Sequence, residues 1–358
     1  MVSISLCMIV RDEEAVLGRC LDSVRGLMDE MILVDTGSVD RTKEIAAEYT
    51  DRVYEFTWID DFAAARNFAF SKASGEYCMW MDADDVMPPD SRKLFLEMKE
   101  SLDGTEDMVM MPYETAFDER GNAVFSYYRE RIVKNHRGYL FRGAVHEAIP
   151  LAGNVIRKAV PIRHQPQKEG ISDRNLRIYR KLEREGVPFD CRMLYYYGRE
   201  LAAHGAYEEA AGRLRQFLAC PEGWTEDKIG AARQLAFCCE RMGQEEQALQ
   251  ALFGSFAYDM PRAETCCQIG RHFLERGSYR QAAFWYEQAL RSEKHVDSGA
   301  FVQEECYGFL PAISLCVCYD RLGERQKAER YNELAGKYKP YSPYYLENQK
   351  YFRNCGGW

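Results

Sequence analysis

The first half of the chain alternates short apolar runs with longer amphipathic segments. Four runs without a helical period predict β-strands, at Ser3–Val10, Glu30–Asp35, Arg52–Phe56 and Tyr77–Asp82. The segments between them carry apolar residues at helical spacing and predict helices at Asp12–Arg25, after "DTGSVDRT", and at Phe62–Lys72. Strands that alternate with helices in this way favour a parallel sheet covered by helices.

The pattern becomes richer in strands between Asp107 and about His164. It predicts four further strands, in "DMVMMPYE", "FSYYRERIVK", "YLFRGAVHEAI" and "VIRKAVPIRH". These segments are expected to complete the sheet with antiparallel strands. The sequence therefore predicts an α/β domain over residues 1–170, with a Rossmann-like mixed sheet and helices on both faces.

After about Gly170 the pattern predicts helices only, and it repeats. Four glycines share one register, because an alanine follows each by five residues and a small residue precedes each by seven. The three sets are Gly205, Gly243, Gly277 and Gly323; Ala210, Ala248, Ala282 and Ala328; and Gly198, Ala236, Gly270 and Cys316. Small residues suit positions where two helices cross closely, and the 34 residues from Gly243 to Gly277 match the period of the tetratricopeptide repeat. We predict an all-α domain of such repeats over residues 193–340, with an unrelated helical bundle as the alternative.

Two shorter segments flank the predicted repeats. Residues 171–192 are expected to form a linking helix. Residues 341–358 form a tail rich in aromatic side chains, which we expect to pack on the last repeat. Helical repeats stack into curved surfaces that hold peptides or protein segments, so these repeats predict a peptide or protein partner, or a homodimer built through them.

The composition limits the classes of protein that fit this pattern. Of 358 residues, 46% are hydrophobic and 29% charged, which is typical of a globular chain with a large core. The net charge of −9 disfavours nucleic acid or an anionic membrane surface as the main partner. No apolar run approaches the roughly 18 residues of a transmembrane helix, and the N-terminal run suits a first strand better than a signal peptide. The 13 cysteines, an odd number with adjacent pairs in helical segments, indicate reduced thiols and a cytoplasmic protein.

Carboxylates follow two of the predicted strands directly. Asp35 ends "MILVD", and Asp82, Asp84 and Asp85 end "YCMWMDADD". Because ligands of open α/β sheets bind at the carboxyl ends of the strands, these acids are expected to lie at a ligand site. A divalent metal would relieve their mutual repulsion, and Mg²⁺ or Mn²⁺ prefers such oxygen ligands while leaving positions for phosphate oxygens. The alternative is that the aspartates cap the helix predicted near Pro89 or lie in a turn.

Four segments, in this order, resemble glycosyltransferase family 2, whose members have the GT-A fold. They are "SLCMIVRDEEAVLGRCLDSV", "ILVDTGSVDRT", "DDFAAARNFAFSKASGEYCMWMDADD" and "FRGAVHEAI", within about the first 165 residues. The resemblance implies that the nucleotide of a nucleotide-sugar donor is bound by Val10, Arg11, Glu13 and Asp35. It also implies that an Asp-x-Asp motif, Asp82 and Asp84, holds the ribose and the metal-bound diphosphate. Family members often have Glu where this chain has Asp85.

Several other polar residues have two interpretations each. Arg66 and Asn67 are predicted to bind the donor, because a guanidinium suits phosphate oxygens; a surface salt bridge is the alternative for Arg66. His164 is predicted to bind the metal together with Asp84, as a later histidine does in many GT-A enzymes, and His146 is the alternative ligand. The alternatives for His164 itself are a structural role or a contact with the nucleotide. Transfer to an acceptor requires a general base, for which the candidates are Glu147, and then Asp85 and Asp118. The alternative for Glu147 is a salt-bridged residue at the edge of the sheet.

These features predict a metal-dependent inverting transferase that moves a sugar from a nucleotide-sugar donor, with UDP as the favoured nucleotide, to an acceptor. The arrangement of a GT-A domain and a repeat domain is similar to that of the sublancin-type peptide S-glycosyltransferases, which implies a peptide or protein acceptor. The alternatives are a cell-surface glycan or lipid acceptor, and a repeat scaffold whose transferase domain is inactive. Nucleotidyl transfer is disfavoured, because it usually needs a glycine-rich basic loop near the N-terminus, which "IVRDEEAVLG" does not supply.

Overall fold

The computed structural model of the protein describes residues 2–117, 121, 123–166, 172–294 and 302–354. The chain divides into two compact units, Met1–Pro188 and Phe189–Trp358. The first unit is α/β and the second is helical, so the predicted succession of the two fold classes is confirmed. A helix at Asp173–Arg184 belongs to the first unit, whereas the sequence assigned these residues to a linking segment.

A mixed sheet forms the centre of the first unit. Its strands are β1 (Ile4–Val10), β2 (Glu30–Asp35), β3 (Val53–Glu55), β4 (Tyr77–Trp80), β5 (Asp85–Val86), β6 (Met108–Phe117), β7 (Ala123–Lys134), β8 (Val155–Arg157) and β9 (Ile162–His164). Among the described residues the strand order is β3-β2-β1-β4-β7-β6-β9-β5, with β8 beside β6. The first four strands are parallel, and β7 runs antiparallel to both β4 and β6. The carboxyl ends of β1 to β4 therefore share one edge of the sheet.

Helices cover both faces of this sheet, as predicted. They are α1 (Leu17–Val24), α2 (Thr42–Tyr49), α3 (Phe62–Ser71) and α4 (Pro89–Ser101), and a fifth helix, α5 (Asp173–Arg184), follows the last strand. Successive side chains of a strand point to opposite faces. On β1, Leu6 and Met8 belong to the apolar core that includes residues of α1 and α4, and Cys7 belongs to the core that includes residues of α3.

Two of the strand predictions differ from the structure. The segment "YLFRGAVHEAI" lies within the described residues and forms no strand there, apart from a bridge between Arg142 and Ala148. Positive φ angles at Gly143 (96°) and His146 (52°) fold it into a turn, because strands require φ near −120°. In addition, β8 and β9 run parallel to β6, whereas β7 is antiparallel to β6 and β9 is antiparallel only to the short strand β5. The direction of a strand depends on its partner, which a short apolar run does not specify.

Antiparallel helix pairs make up the second unit. The pairs are α6 (Cys191–Ala203) with α7 (Tyr207–Leu218), α8 (Thr225–Arg241) with α9 (Glu245–Gly254), α10 (Ala263–Glu275) with α11 (Tyr279–Arg291), and α12 (Phe309–Arg321) with α13 (Arg325–Tyr338). Two short 3-10 turns, at Ser255–Ala257 and Glu304–Tyr307, and a last helix, α14 (Pro343–Asn354), complete the described part.

The repeated glycines, alanines and small residues have distinct structural roles. Each of the four glycines lies between the helices of a pair with φ between 70° and 78°, a region that glycine adopts without strain. The four alanines are completely buried. A Cβ atom added to Gly270 would lie 2.9 Å from the ring of Tyr286, and one added to Gly198 would lie 2.8 Å from Leu214. The small residues thus let paired helices cross closely, and the tetratricopeptide-like repeats are confirmed.

The C-terminal helix α14 packs on the last helix pair. Phe352 lies in the apolar core of these repeats, and its carbonyl oxygen accepts a hydrogen bond from Arg325 Nη2 at 2.6 Å. Tyr341 and Tyr344 are exposed, so only part of the aromatic tail packs as predicted. Residues 355–358 lie outside the described part. Among the helices that the structure describes, none is both long enough and apolar enough to cross a membrane.

Candidate active site

A cleft of about 380 Å³ opens at the carboxyl ends of the parallel strands. Residues at or just after the ends of β1 to β4 line one side, and the turn around Glu147, the strand β9 and the start of α5 supply others. The lining residues that the sequence predicted for the site are Val10, Arg11, Glu13, Arg66, Asp82, Asp84, Glu147 and His164. The topology of the sheet thus brings together residues that lie up to about 150 positions apart.

Residues 82–85 form a tight turn immediately after β4. The Asp85 backbone N–H donates to Asp82 O at 3.0 Å, and the Asp82 N–H donates to Asp85 Oδ2 at 3.1 Å. The turn is also tied to β9, because Gln165 N–H donates to Asp84 O at 2.9 Å and Asp85 pairs with His164 in the β5–β9 ladder. Of the three aspartate side chains, only that of Asp85 takes part in these bonds, while Asp82 and Asp84 contribute backbone atoms, so each aspartate has a different environment.

Three side chains on this turn and on β9 could hold a divalent cation. Ligand-type atoms of Asp84, Asp85 and His164 lie within 4.8 Å of one another. His164 Nδ1 is 3.4 Å from Asp84 Oδ1 and 3.5 Å from Asp85 Oδ1, and it is buried without a hydrogen bond to any described residue. Asp84, and then Asp85, raise the pKa of His164 to about 10, which shows that the position favours positive charge. Carboxylate oxygens and an imidazole nitrogen suit an ion such as Mn²⁺.

Arg66 links the two acidic sides of the cleft. Its Nη2 donates to Asp82 Oδ1 and its Nε to Glu147 Oε1, each at 2.6 Å. The guanidinium is almost fully buried and lies 4.8 Å from the centroid of the Trp80 ring. Burial opposes the ionisation of Asp82, but Arg66 and then Arg131 outweigh it and lower the pKa of Asp82 to about 2. Asp82 is therefore a carboxylate in the cleft, and Arg66 forms a buried ion-pair bridge, not the predicted alternative of a surface salt bridge.

Glu147 lines the cleft from a strained turn. The residue before it, His146, has φ of 52°, which is uncommon for a residue with a side chain. The Glu147 side chain is 11% exposed and is held through Oε1 by Arg66. Strained backbone often occurs at functional sites, where it aims a side chain. The geometry thus places a carboxylate in the lining of the cleft and pairs it with Arg66, which fits both the predicted general base and the alternative of a salt-bridged residue.

The end of β1 borders the cleft, whereas Asp35 at the end of β2 does not. Asp35 is buried, and its carboxylate accepts hydrogen bonds from the backbone N–H groups of Gly37 at 2.9 Å and Ser38 at 3.0 Å. Its neighbour Thr36 lines the cleft instead. Asp35 therefore shapes the turn after β2, and its contact with the nucleotide stays a prediction.

Two further predicted residues lie away from the cleft surface. Asn67 exchanges two hydrogen bonds with the backbone of Phe141, at 3.0 and 2.9 Å, so it holds Phe141 in place and does not line the cleft. Asp85 is completely buried, is paired with Arg131 and does not line the cleft, so this geometry gives no support to the general-base prediction for it. Asp118, the weakest candidate for the base, lies outside the described residues.

The sequence missed several residues that line the cleft. They are Trp58 and Phe62 near the start of α3, Arg129 on β7, and Arg174 and Asn175 at the start of α5. The Arg174 guanidinium lies 4.5 Å from the Phe62 ring centroid, and that of Arg129 lies 4.7 Å from Trp80. Arginine recurs on this surface, which suits an anionic ligand. A lone arginine in a strand or helix gives no signal in the sequence that it will face a site.

Comparison with known proteins shows which family the domain that forms this cleft resembles. Residues 5–155 match the family model described as Glycosyl transferase family 2. This part of the chain is similar to family 2 glycosyltransferase domains. The match spans β1 to the start of β8, and it includes the Asp82–Asp85 turn and Glu147. His164 and the start of α5 follow the matched residues, although they line the same cleft.

Relatives of the chain fall into two groups, transferases and repeat proteins. The chain is 37% identical to a TPR repeat-containing protein of Synechococcus elongatus over 42% of this chain and 36% of that protein. It is 26% identical to the SPbeta prophage-derived glycosyltransferase SunS of Bacillus subtilis, over 60% of this chain and 53% of the relative. Among solved structures it aligns with YrrB, a TPR protein with an unusual peptide-binding site, at 18% identity, 50% and 83% coverage and a TM-score of 0.37. The chain thus spans between a third and just over half of the length of these two sequence relatives.

Proposed function

We propose that the glycosyltransferase domain transfers a sugar, with inversion, from a nucleoside diphosphate sugar to an acceptor in a metal-dependent reaction. The observation that carries this proposal is the cleft itself. It combines carboxylates and a histidine on one fixed turn and strand with arginines on the surrounding surface. The negative charge of a diphosphate would be balanced partly by a divalent cation bound to the carboxylates and the histidine, and partly by the arginines.

Asp84 and His164 are the residues that would hold the metal, and Asp82 would bind the ribose of the donor. When bound, Mn²⁺ or Mg²⁺ would stabilise the negative charge that develops on the diphosphate as it leaves. Val10, Arg11 and Glu13, which line the cleft at the end of β1, would contact the nucleotide. We favour UDP as the nucleotide of the donor because of the family resemblance.

Glu147 would accept the proton of the attacking acceptor group. Its carboxylate lies in the cleft wall and is joined through Arg66 to Asp82, so the base and the donor-binding side are held by one guanidinium. Attack on the anomeric carbon then forms the new glycosidic bond, breaks the bond to the diphosphate and leaves the proton on Glu147. A single displacement of this kind inverts the configuration at that carbon.

A peptide or protein is the acceptor that we favour. The second unit consists of helix pairs of the tetratricopeptide type, and such repeats form surfaces that hold peptide segments. A glycan or lipid acceptor remains the alternative for the same chemistry, and a homodimer built through the repeats is an alternative use of that surface. Competition between peptide and oligosaccharide acceptors in a transfer assay would distinguish a peptide or protein acceptor from a glycan acceptor.

Donor hydrolysis tests the proposed chemistry without knowledge of the acceptor. Purified protein with Mn²⁺ and a panel of UDP-, GDP- and dTDP-sugars should release the nucleotide slowly from one class of donor. Asp84→Asn should lower this release at least a hundredfold, because it removes a charged metal ligand and leaves the size of the side chain unchanged.

Asp51→Asn is the matched control, because Asp51 is an exposed aspartate in the bend before β3 and does not line the cleft. It should release nucleotide at the rate of the unchanged protein. If no donor is bound or hydrolysed under any metal condition, the transferase proposal fails and the inactive-scaffold alternative is favoured. If release continues unchanged in Asp84→Asn or without metal, the metal role of Asp84 is wrong.

A further inference from the structure

We propose that Tyr113, Arg131 and Asp85 form a buried clamp that positions the metal-binding turn and His164 around one cation. Asp85 is then a positioning residue, neither the base nor a metal ligand. The inference rests on the metal-dependent function proposed above. It adds two residues, Tyr113 and Arg131, to which neither the sequence motifs nor the cleft lining pointed.

Both carboxylate oxygens of Asp85 are already occupied by this clamp. Tyr113 O–H donates to Oδ1 at 2.8 Å, while Arg131 Nη1 lies 3.0 Å from Oδ2. Oδ2 also accepts the backbone N–H of Asp82 at 3.1 Å. The Asp85 and Arg131 side chains are both completely buried. A buried carboxylate with these partners is fixed in place, and little of its capacity is left for a cation.

Arg131 is held as firmly as the carboxylate it pairs with. Its guanidinium lies 4.0 Å from the ring centroid of Trp80 and 4.4 Å from that of Tyr113. Nη1 also donates to the carbonyl oxygen of Trp80, the last residue of β4, at 3.3 Å. The clamp therefore fixes the end of β4 as well as the turn that follows it.

The same clamp reaches the predicted histidine ligand. Tyr113 pairs with Ile162 in the β6–β9 ladder, and its ring centroid lies 5.6 Å from that of His164. Asp85 pairs with His164 in the β5–β9 ladder. Four strands, β5, β6, β7 and β9, thus contribute to one rigid arrangement that sets the distance between Asp84 and His164.

Burying the charged groups of this cluster costs free energy, so a contribution to stability does not by itself explain why the cluster is present. Arg131 Nε and Nη2 are buried and find no acceptor among the described residues. A buried arginine with unpaired donors destabilises the fold, and apolar side chains of similar volume often pack in such a place at no loss. If the Arg131–Asp85 pair aligns the metal ligands, that role is a physical reason for the protein to contain a buried charged pair there.

Tyr113→Phe tests the clamp with the smallest change, because it removes one hydrogen bond to Asp85 and keeps the ring. Tyr77→Phe is the matched control: Tyr77 is also a buried tyrosine of the sheet, and its O–H donates to Glu106 O at 2.8 Å, at the opposite end of β4. The full-length proteins are compared by the electron paramagnetic resonance signal of free Mn²⁺, with and without UDP, and by thermal unfolding.

Both variants should lose a similar amount of thermal stability, but only Tyr113→Phe should weaken Mn²⁺ binding, by roughly tenfold, as expected for one hydrogen bond to a charged group. Equal Mn²⁺ affinity in Tyr113→Phe and the unchanged protein would overturn the inference and leave the proposed function standing. Loss of Mn²⁺ binding in Asp85→Asn with no effect of Tyr113→Phe would overturn it too, and would make Asp85 a ligand. No Mn²⁺ binding by the unchanged protein would reject both the clamp and the metal-dependent function.

Discussion

At the scale of single residues, the local sequence of a polar side chain is a weak guide to its role. Arg66 and Asn67 are neighbours in one helix and were both predicted to bind the donor. The structure uses Arg66 to join two carboxylates in the cleft and Asn67 to fix the backbone of Phe141. Adjacent positions on a helix face directions about 100° apart, so one meets the site and the other a loop.

Glu147→Gln should separate the chemical step from donor binding. The amide oxygen of glutamine can still accept the hydrogen bond from Arg66, but it cannot take up a proton at neutral pH. We expect kcat to fall by about 10²- to 10⁴-fold, the usual contribution of a general base, with Mn²⁺ and donor affinity nearly unchanged. Steady-state kinetics and donor titrations measure the two effects.

Glu226→Gln is the control for that variant. Glu226 is similarly buried, at 10% exposed against 11% for Glu147, and it pairs with Arg262 in the helical unit. It should match Glu147→Gln in any loss of stability without a loss of kcat. A Glu147→Gln protein with unchanged kcat would exclude Glu147 as the base.

At the scale of helices and strands, glycine marks two kinds of position in the helical unit. Gly277 lies between α10 and α11 with φ of 70°, whereas Gly212 lies within α7, where an added Cβ would meet nothing within 4 Å. The register of repeats in the sequence singled out the first kind correctly. The register gave no information about glycines within a helix, such as Gly212, whose surroundings are known only from the structure.

The two glycines should therefore respond oppositely to alanine. Gly277→Ala forces a residue with a side chain into the left-handed region and should destabilise the unit by about 1 kcal/mol. Gly212→Ala should stabilise it by about 0.5–1 kcal/mol, because alanine has the higher helix propensity. Thermal unfolding followed by far-ultraviolet circular dichroism should show shifts of opposite sign, of about 2–4 °C. Shifts of the same sign would contradict this account of the repeats.

At the scale of the whole molecule, each unit has its own apolar core. The core of the first unit extends from Val2 to Ile162, and that of the helical unit includes residues from Ala263 to Phe352. Among the residues that the structure describes, those that line the cleft all come from the first unit, between Ile9 and Asn175. Folding and donor chemistry should therefore be separable from the repeats.

A fragment of residues 1–188 should fold alone and keep donor hydrolysis with Mn²⁺ at a rate within about threefold of the full chain, because it retains the core and every lining residue. Circular dichroism and nucleotide release measure this, with the fragment carrying Asp84→Asn as the inactive control. A folded fragment without hydrolysis would show that the helical unit contributes to the donor site.

The sequence alone determined the elements whose pattern is local. The strand Glu30–Asp35, the helix that begins at Phe62, and the glycines of the repeats were all placed by residue spacing and turn chemistry. These features depend on neighbours within a few positions, because side-chain periodicity and φ preference act over that range. The acids after β4 were found in the same way, since a buried strand that ends in polar residues stands out.

Only the tertiary structure decided which of these acids meets which partner. Asp85 became buried because Arg131 and Tyr113 come to it from β7 and β6, and Glu147 reached the cleft because the 139–149 segment turns at two positive φ angles and does not extend as a strand. Partners 28 to 81 residues away supply the charges and hydrogen bonds that fix each carboxylate. The energy of a buried charge depends on those distant neighbours, so the same residue type forms a clamp at one position and a candidate base at another.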